Sequence, residues 1–339
     1  MRLDLPVCVL LFAGIASSQD TPKPDPDEVR TEDGLLVARI ARTPHDADNH
    51  RDTSKVFHHV FAPDGRLLTK GTGGEFDHHR GLFIGWNQTG WHGKRFDFWH
   101  CNHGESLRFV GWTPAAEHHF GKGWQVADID WCIEDGTVAA TERRALRARR
   151  IAADVTAIDL AVRLRPCGSE LQLAGDPQHA GQQFRALQQF AEKDAPKAAY
   201  LRPESAIAHD NDVWTDCAWI AQVLPFEAGA VTVLRLEGPE NPKPTTWSTR
   251  AYGRFGATFT HTITAGDMLD ASWTYVLALG ERDAAWCART AEQQREYLDK
   301  TDAGRERSGT KVTPEQPIKD RTPEDQVPGS EARSSSTRR

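Results

Sequence analysis

Two short stretches of this chain concentrate side chains able to move protons. The first begins Asp77-His78-His79-Arg80-Gly81, continues through Trp86-Asn87-Gln88, and ends Asp97-Phe98-Trp99-His100-Cys101-Asn102-His103. Eleven of the fourteen His lie between His45 and His119, and six of the eleven Trp lie between Trp86 and Trp131, so the clustering is regional. Imidazoles titrate near neutral pH, and a guanidinium presents a fixed fork of donors to an anionic or hydroxyl-rich ligand. His78, His79, Asp97 and His103 are therefore acid/base candidates, with Arg80, Trp86 and Trp99 as candidate substrate contacts. On a strand or at its exit consecutive side chains alternate, so only one of His78 and His79 is expected to face any one cleft.

The second stretch is Asp176-Pro177-Gln178-His179-Ala180-Gly181-Gln182-Gln183-Phe184-Arg185. It follows a strand-like run and so reads as an exit loop, where binding groups tend to sit. His179 is its acid/base candidate, and Gln183 and Arg185 are its candidate substrate contacts. A third stretch, Asn241 to Trp247 followed by Tyr252-Gly253-Arg254, reads first as a rigid Pro-rich loop and turn. Tyr252 and Arg254 are its candidate ligand contacts. One imidazole of the first stretch is expected to pair with His179 as general acid and base. His79, Arg80, Asp97, His103, His179 and Arg185 should then meet in one cleft. A metal reading would use His79, His103 and His179. No H-E-x-x-H or comparable spacing is present, so the expectation is no metal and no cofactor.

These groups must be positioned by strands. Runs such as Leu35–Ile40, Val56–Phe61, Gly81–Trp86, Leu107–Trp112 and Gln125–Ile133 are short and separated by Asp64-Gly65, Gly73-Gly74 and Asp135-Gly136. The run Val155–Leu164 alternates imperfectly, as a half-buried antiparallel strand does. About a dozen such runs and one helical stretch, Asp283–Leu298 with Trp286, Gln293 and Tyr297 on one side, predict an all-β fold. It would be a large antiparallel β-sandwich in one domain with one C-terminal helix. Five Arg between Arg143 and Arg150 read as a solvated strand face.

The ends read differently. Arg2, the apolar run Leu5–Ile15 and Ala16-Ser17-Ser18 form the pattern of an export signal over residues 1–18, too short to span a bilayer. Residues 19–28 are a Pro/Asp-rich linker, and Val29–Lys300 is the folded body. Residues 301–339 are Pro-punctuated and nearly free of large aliphatic residues, which predicts disorder. The five Cys after the signal are widely spaced with no C-x-x-C, as buried thiols would be. A net charge of -7 argues against nucleic acid as a partner. The mean hydropathy of -0.57 argues against a membrane-embedded chain.

The blocks FDHHRGLFIGWNQTGWHGKRFDFWH, DPQHAGQQFRA and LEGPENPKPTTWSTRAYGRFGATF resemble a secreted bacterial family labelled PmoA, or methane oxygenase, over about Val29 to Leu298. Phe76 stands where many members of that family carry a further His, and Ala251 where many carry an acid. The methane oxygenase label implies several apolar spans and a copper ligand set, and this chain has neither. The resemblance implies instead a galactose-mutarotase-like supersandwich whose concave sheet holds a glycan. Three activities compete. The first is an exported carbohydrate-processing hydrolase, lyase or epimerase with His acid/base chemistry, acting on a carbohydrate or other hydroxyl-rich small molecule. The second is a non-catalytic glycan-binding protein, and the third a His-ligated metal enzyme.

Overall fold

In the computed structural model the described residues are 25–114, 120 and 123–307, the last seven by backbone only. The export signal and the tail beyond Arg307 lie outside them. The described chain is almost entirely antiparallel strand, as alternating short runs and Gly-marked turns require.

One nine-stranded sheet runs in the order Glu28–Arg30, Leu36–Ala41, Phe57–Val60, Leu82–Trp86, Ala180–Arg185, Arg254–Thr258, Thr246–Arg250, Val213–Thr215, Ile207–His209. An eight-stranded sheet runs Ala199–Leu201, Trp219–Leu224, Val231–Glu237, Leu269–Leu279, Val155–Pro166, Val138–Ala152, Gln125–Cys132, Ser106–Trp112. A small sheet, His261–Ile263, Leu171–Ala174, Gln88–Trp91, Lys94–Phe96, closes one end. The two large sheets share one apolar core, with Ile84, Trp86, Phe184 and Phe255 from the first and Trp131, Leu160, Val233 and Tyr275 from the second. Gln182 crosses that core as a bonded polar group, accepting from Tyr275 Oη at 2.5 Å and from Arg235 Nε at 3.0 Å.

The Arg run departs from expectation. Val138–Ala152 is an interior strand of its sheet, and of the five Arg only Arg150 is exposed. Arg144 pairs with Glu142 at 2.6 Å, the two side chains 1% and 0% exposed. Arg147 and Arg149 converge on Asp159 at 2.6 and 2.7 Å, and Arg143 meets Asp128 at 2.9 Å. The helix Ala284–Arg307 covers part of this face, with Gln294 accepting from Arg149 at 2.8 Å. A charge-rich strand is buried here because three carboxylates on the same and neighbouring strands bond four of its guanidinium groups.

That helix buries Cys287, Thr290, Ala291 and Gln294, while Gln293 and Tyr297 are exposed, so its packing stripe is rotated from the expected one. It also runs to Arg307, into the segment expected to lack order, and Glu28 of the expected linker opens the first strand. Cys101, Cys132 and Cys287 are buried thiols and Cys217 a half-buried one. No helix among the described residues is long and apolar enough to cross a membrane.

Candidate active site

Two adjacent strands of the nine-stranded sheet, Leu82–Trp86 and Ala180–Arg185, each follow a His-bearing turn. Both strands are entered through a glycine that its neighbours require. Gly81 has φ +43°, and a Cβ there would lie 2.2 Å from the His58 carbonyl oxygen. Gly181 has φ +82°, and a Cβ there would lie 2.1 Å from the Ala257 carbonyl oxygen. The glycines of His-His-Arg-Gly and His-Ala-Gly thus admit a neighbouring backbone and a left-handed conformation at once. The third turn, Asp97–Cys101, lies against the strand Leu82–Trp86, Phe98 N donating to the Trp86 carbonyl at 3.1 Å.

The three turns bring four imidazoles together. Ring centroids of His78 and His79 are 4.2 Å apart, of His78 and His100 4.6 Å, and of His100 and His179 4.7 Å. His179 lies 5.6 Å from His78 and 5.7 Å from His79. His78 and His79 therefore both face the site, against the expected alternation. The reason is that they sit in a turn, closed by His79 N donating to the Phe76 carbonyl at 2.9 Å, and not on an extended strand. Phe76 (φ 52°) and Cys101 (φ 58°), both left-handed without being glycine, flank the His-bearing segments. Such local strain is held by its surroundings and clusters at functional sites.

The four rings are not equivalent. The side chains of His78, His100 and His179 are 22%, 21% and 27% exposed. His79 lies beneath them at 3%, edge-on to Trp99 at 5.6 Å, with Tyr252 Oη 3.5 Å from its Nδ1. Each of the three outer rings faces a carboxylate. Asp97 Oδ2 lies 2.7 Å from His100 Nδ1, and Asp97 also accepts from the backbone N–H of Trp99 and His100. Asp176 lies 3.0 Å from His179 Nδ1, and Asn87 donates to it at 2.7 Å. Asp77 lies 4.0 Å from His78 Nδ1. Burial, the largest single influence, would raise the Asp97 and Asp176 carboxyls, but the hydrogen bonds and charge of His100 and His179 together with backbone donors hold both below the usual range. His78 is pushed down to about 3 by burial, helped by Lys55 and the neighbouring imidazoles. His79 is driven well below its ordinary value by burial and then by Arg254.

Several expected ligand contacts have other occupations. The Arg80 guanidinium donates to the carbonyls of Asp77, Asp52 and Arg51, anchoring the turn instead of presenting a fork. Trp86 is buried in the core, its indole N–H bonded to the Phe259 carbonyl. Trp99 is 0% exposed and so floors the site without offering a face to a ligand. Gln183 donates to the Ala180 carbonyl and accepts from Arg254, and Arg185 donates to the Tyr252 and Ala186 carbonyls. These residues brace the site from inside the sheet. His103 is exposed and stands outside the imidazole cluster, because the turn closes at Cys101 and its backbone continues to Glu105.

Four contributors were not singled out from the sequence: His100, Asp176, Lys55 and Phe76. Lys55, almost fully buried, donates to the carbonyls of His78 (2.8 Å) and Trp99, tying two of the His-bearing turns together. Phe76 is 44% exposed and stacks on Tyr252 at 4.6 Å, which makes it an accessible aromatic face beside the imidazoles. His100 and Asp176 were legible, each being three residues from the partner that holds it. Cys101 is no nucleophile: burial pushes its thiol up to about 12.

Beside the site the small end sheet bears an open cavity of about 820 Å³. Gln88, Arg95, Glu170 and Gln172 line it with donors and acceptors together. Two of its lining residues, Gln88 and Ala174, lie next in the chain to Asn87 and to the Gly175-Asp176 step, and Asp176 bonds both Asn87 and His179.

Among solved structures the chain is similar to one described as heparinase III (8% identity, TM-score 0.26, covering 73% of this chain and 33% of that one). It is similar also to one from the human microbiome described as a kojibiose phosphorylase (8%, TM-score 0.31, 81% and 31%). A third, from Escherichia coli K12, is described as an aldose 1-epimerase (10%, TM-score 0.34, 72% and 100%). The chain spans about a third of the length of the first two. No protein of curated function matches the sequence. A family model does, over residues 28–292, and its description carries no oxygenase label: the chain belongs to DUF6807, a family of unknown function.

Proposed function

We propose that this chain is an exported enzyme that processes a carbohydrate or another hydroxyl-rich small molecule, with its reacting centre at His78, His100 and His179. One observation carries the reading: three solvent-reaching imidazoles from three separate turns converge, two of them held by a carboxylate at Nδ1. A carboxylate at Nδ1 fixes the tautomer, leaves the Nε2 lone pair free and stabilises the imidazolium that forms when the ring takes a proton. A protein that only stacks on sugars has no need of such pairs. Hydroxyl groups donate and accept at once, and the adjoining cavity, with its mixed donors and acceptors, suits them.

Roles follow from exposure. His179 and His100 reach solvent and are the proton-transfer groups, while His79, beneath them, positions the cluster through Trp99 and Tyr252. The test is a screen of oligosaccharides for released product or altered anomeric configuration, run on the wild type and on His179→Ala. Product formation lost in the variant supports the reading. If no substrate is turned over while a glycan still binds, the chain is a binding protein.

A further inference from the structure

The three outer imidazoles have a second property that proton transfer does not require. One ring nitrogen of each of His78, His100 and His179 lies within 4.8 Å of one from each of the others. No hydrogen bond joins any two of these three rings. His45 and His50 show the contrast: their nitrogens meet at 3.0 Å, and His50 goes on to bond the Cys101 carbonyl at 2.6 Å, as a structural pair does. In the outer cluster the Nδ1 atoms of His100 and His179 are occupied by Asp97 and Asp176. The buried Nε2 of His78 has no hydrogen-bond partner at all.

We propose that His78, His100 and His179 bind a divalent first-row transition-metal ion through their Nε2 atoms. The proposal deepens the functional reading above in that it uses the same place: where the ion is bound, His100 and His179 serve as its ligands in place of proton-transfer groups, and the proposal rests on that reading only for the view that the bound ion takes part in turnover. Zinc is held by imidazole at ~2.0–2.1 Å, so an inward movement of roughly 1 Å or less per nitrogen converts the present triangle into a ligand set. Metal-bound imidazoles almost always donate their other N–H to a carboxylate, carbonyl or water, which orients the ring and makes it a better ligand. Asp97 on His100 and Asp176 on His179 supply that arrangement twice. An all-imidazole set favours zinc, iron, nickel or copper over magnesium or calcium, which take oxygen ligands. Three protein ligands reached by solvent leave the remaining positions open for water or substrate, as catalytic sites do and structural ones do not. Lys55 fits the same picture as a positioning residue, because it fixes the carbonyls of His78 and Trp99 and so the spacing of two of the three ligands.

The test uses the full chain, stripped with EDTA and titrated with ZnCl2 by calorimetry and with CoCl2 by visible absorption. The expected result is one ion per chain and a cobalt spectrum of low coordination number. His100→Ala and His179→Ala should each weaken zinc binding at least 10²-fold. Asp176→Asn should weaken it ~10–100-fold, as loss of an orienting carboxylate does. His103→Ala, outside the cluster, should leave it unchanged. X-ray absorption on the zinc-loaded wild type should count three imidazoles, a measurement that needs no variant to fold. The proposal is overturned by absence of uptake, by uptake that survives both His→Ala changes in folded protein, or by fewer than three imidazoles on the metal. The two readings fail separately. Metal uptake without product from any oligosaccharide overturns the enzyme and keeps the site. Product released equally by stripped and loaded protein keeps the enzyme and removes the ion from its turnover.

Discussion

Two regions of this molecule are equally dense in ionisable side chains and could hardly differ more in how they use them. On the strand Val138–Ala152 four of the five Arg side chains find carboxylates at 2.6 to 2.9 Å, Arg147 and Arg149 sharing Asp159. In the His-bearing turns the carboxylates bond Nδ1 of His100 and His179, and Nε2 of His78 and of His79 has no hydrogen-bond partner. Closed ion networks hold a scaffold together because nothing is left over to react. A site is recognised by what its neighbours leave unsatisfied at a place solvent can reach. Charge density by itself, the property most visible in a sequence, does not separate the two.

The comparison is broken most sharply by one substitution in each region. His179→Ala should lower turnover ~10²–10⁴-fold, as removal of a proton-transfer group does, and change unfolding free energy by less than ~1 kcal/mol, since the ring is partly exposed. A turnover assay and urea unfolding on the same preparation check both halves. A large loss of stability would place His179 with the scaffold.

Arg144→Ala should do the reverse. It leaves Glu142 charged, buried and bonded only by the Trp131 indole N–H, which costs about 3–5 kcal/mol of stability. Turnover of the fraction that remains folded should not change. Replacing the pair together, Arg144→Met with Glu142→Gln, should recover most of the loss, because no unpaired charge then remains. Urea unfolding of the single and double variants reads the difference.

A third outcome concerns an imidazole that belongs to the scaffold. His58 is buried on the strand Phe57–Val60, and its pKa lies well below the ordinary value because of burial, then Arg144 and His59. Its folded pKa is depressed, so below pH ~6.5 the unfolded chain binds a proton that the folded chain refuses. The stability contribution is complete above that pH and lost as pH falls. The slope is at most about 1.4 kcal/mol per pH unit for this group. His59, also lowered by burial, acts in the same direction. Thermal melts from pH 7.5 to 5 should fall in the wild type and fall less steeply in His58→Gln, since His59, His78 and His79 keep the same sense of pH dependence. Equal slopes in both would show that His58 is not the group responsible.

The antiparallel architecture was legible, because strand alternation and Gly-marked turns are local signals. The meeting of the two His-bearing stretches was legible as a chemical need, and the sheet meets it by pairing Leu82–Trp86 directly with Ala180–Arg185. What the sequence hid depends on facts that spacing does not carry. His100 and His103 are equally plausible on paper, and the tight turn capped by Asp97 selects the former. Arg80, Arg185 and Arg254 look like ligand forks until their donors are counted against nearby acceptors. The Arg run looked solvated because its neutralising Asp159 lies on the neighbouring strand, and a helix more than a hundred residues away covers it.

The smallest effect tests which aromatic meets the ligand. Trp99 was the expected stacking surface, yet it is wholly buried against His79 and Phe83, while Phe76 presents its ring beside the imidazoles and leans on Tyr252. An exposed ring contributes little to folding, so Phe76→Ala should leave the melting temperature nearly unchanged. A ring that stacks on a sugar contributes ~0.5–1.5 kcal/mol, so the same change should weaken oligosaccharide binding by ~2–10-fold without altering the rate of the bound complex. Trp99→Ala should show the opposite pattern, a loss of about 3–5 kcal/mol in stability from a large buried cavity. Isothermal titration with the oligosaccharide found in the substrate screen, and melting curves on both variants, separate these outcomes. If Phe76→Ala binds as tightly as the wild type, the ligand does not touch that side of the cluster.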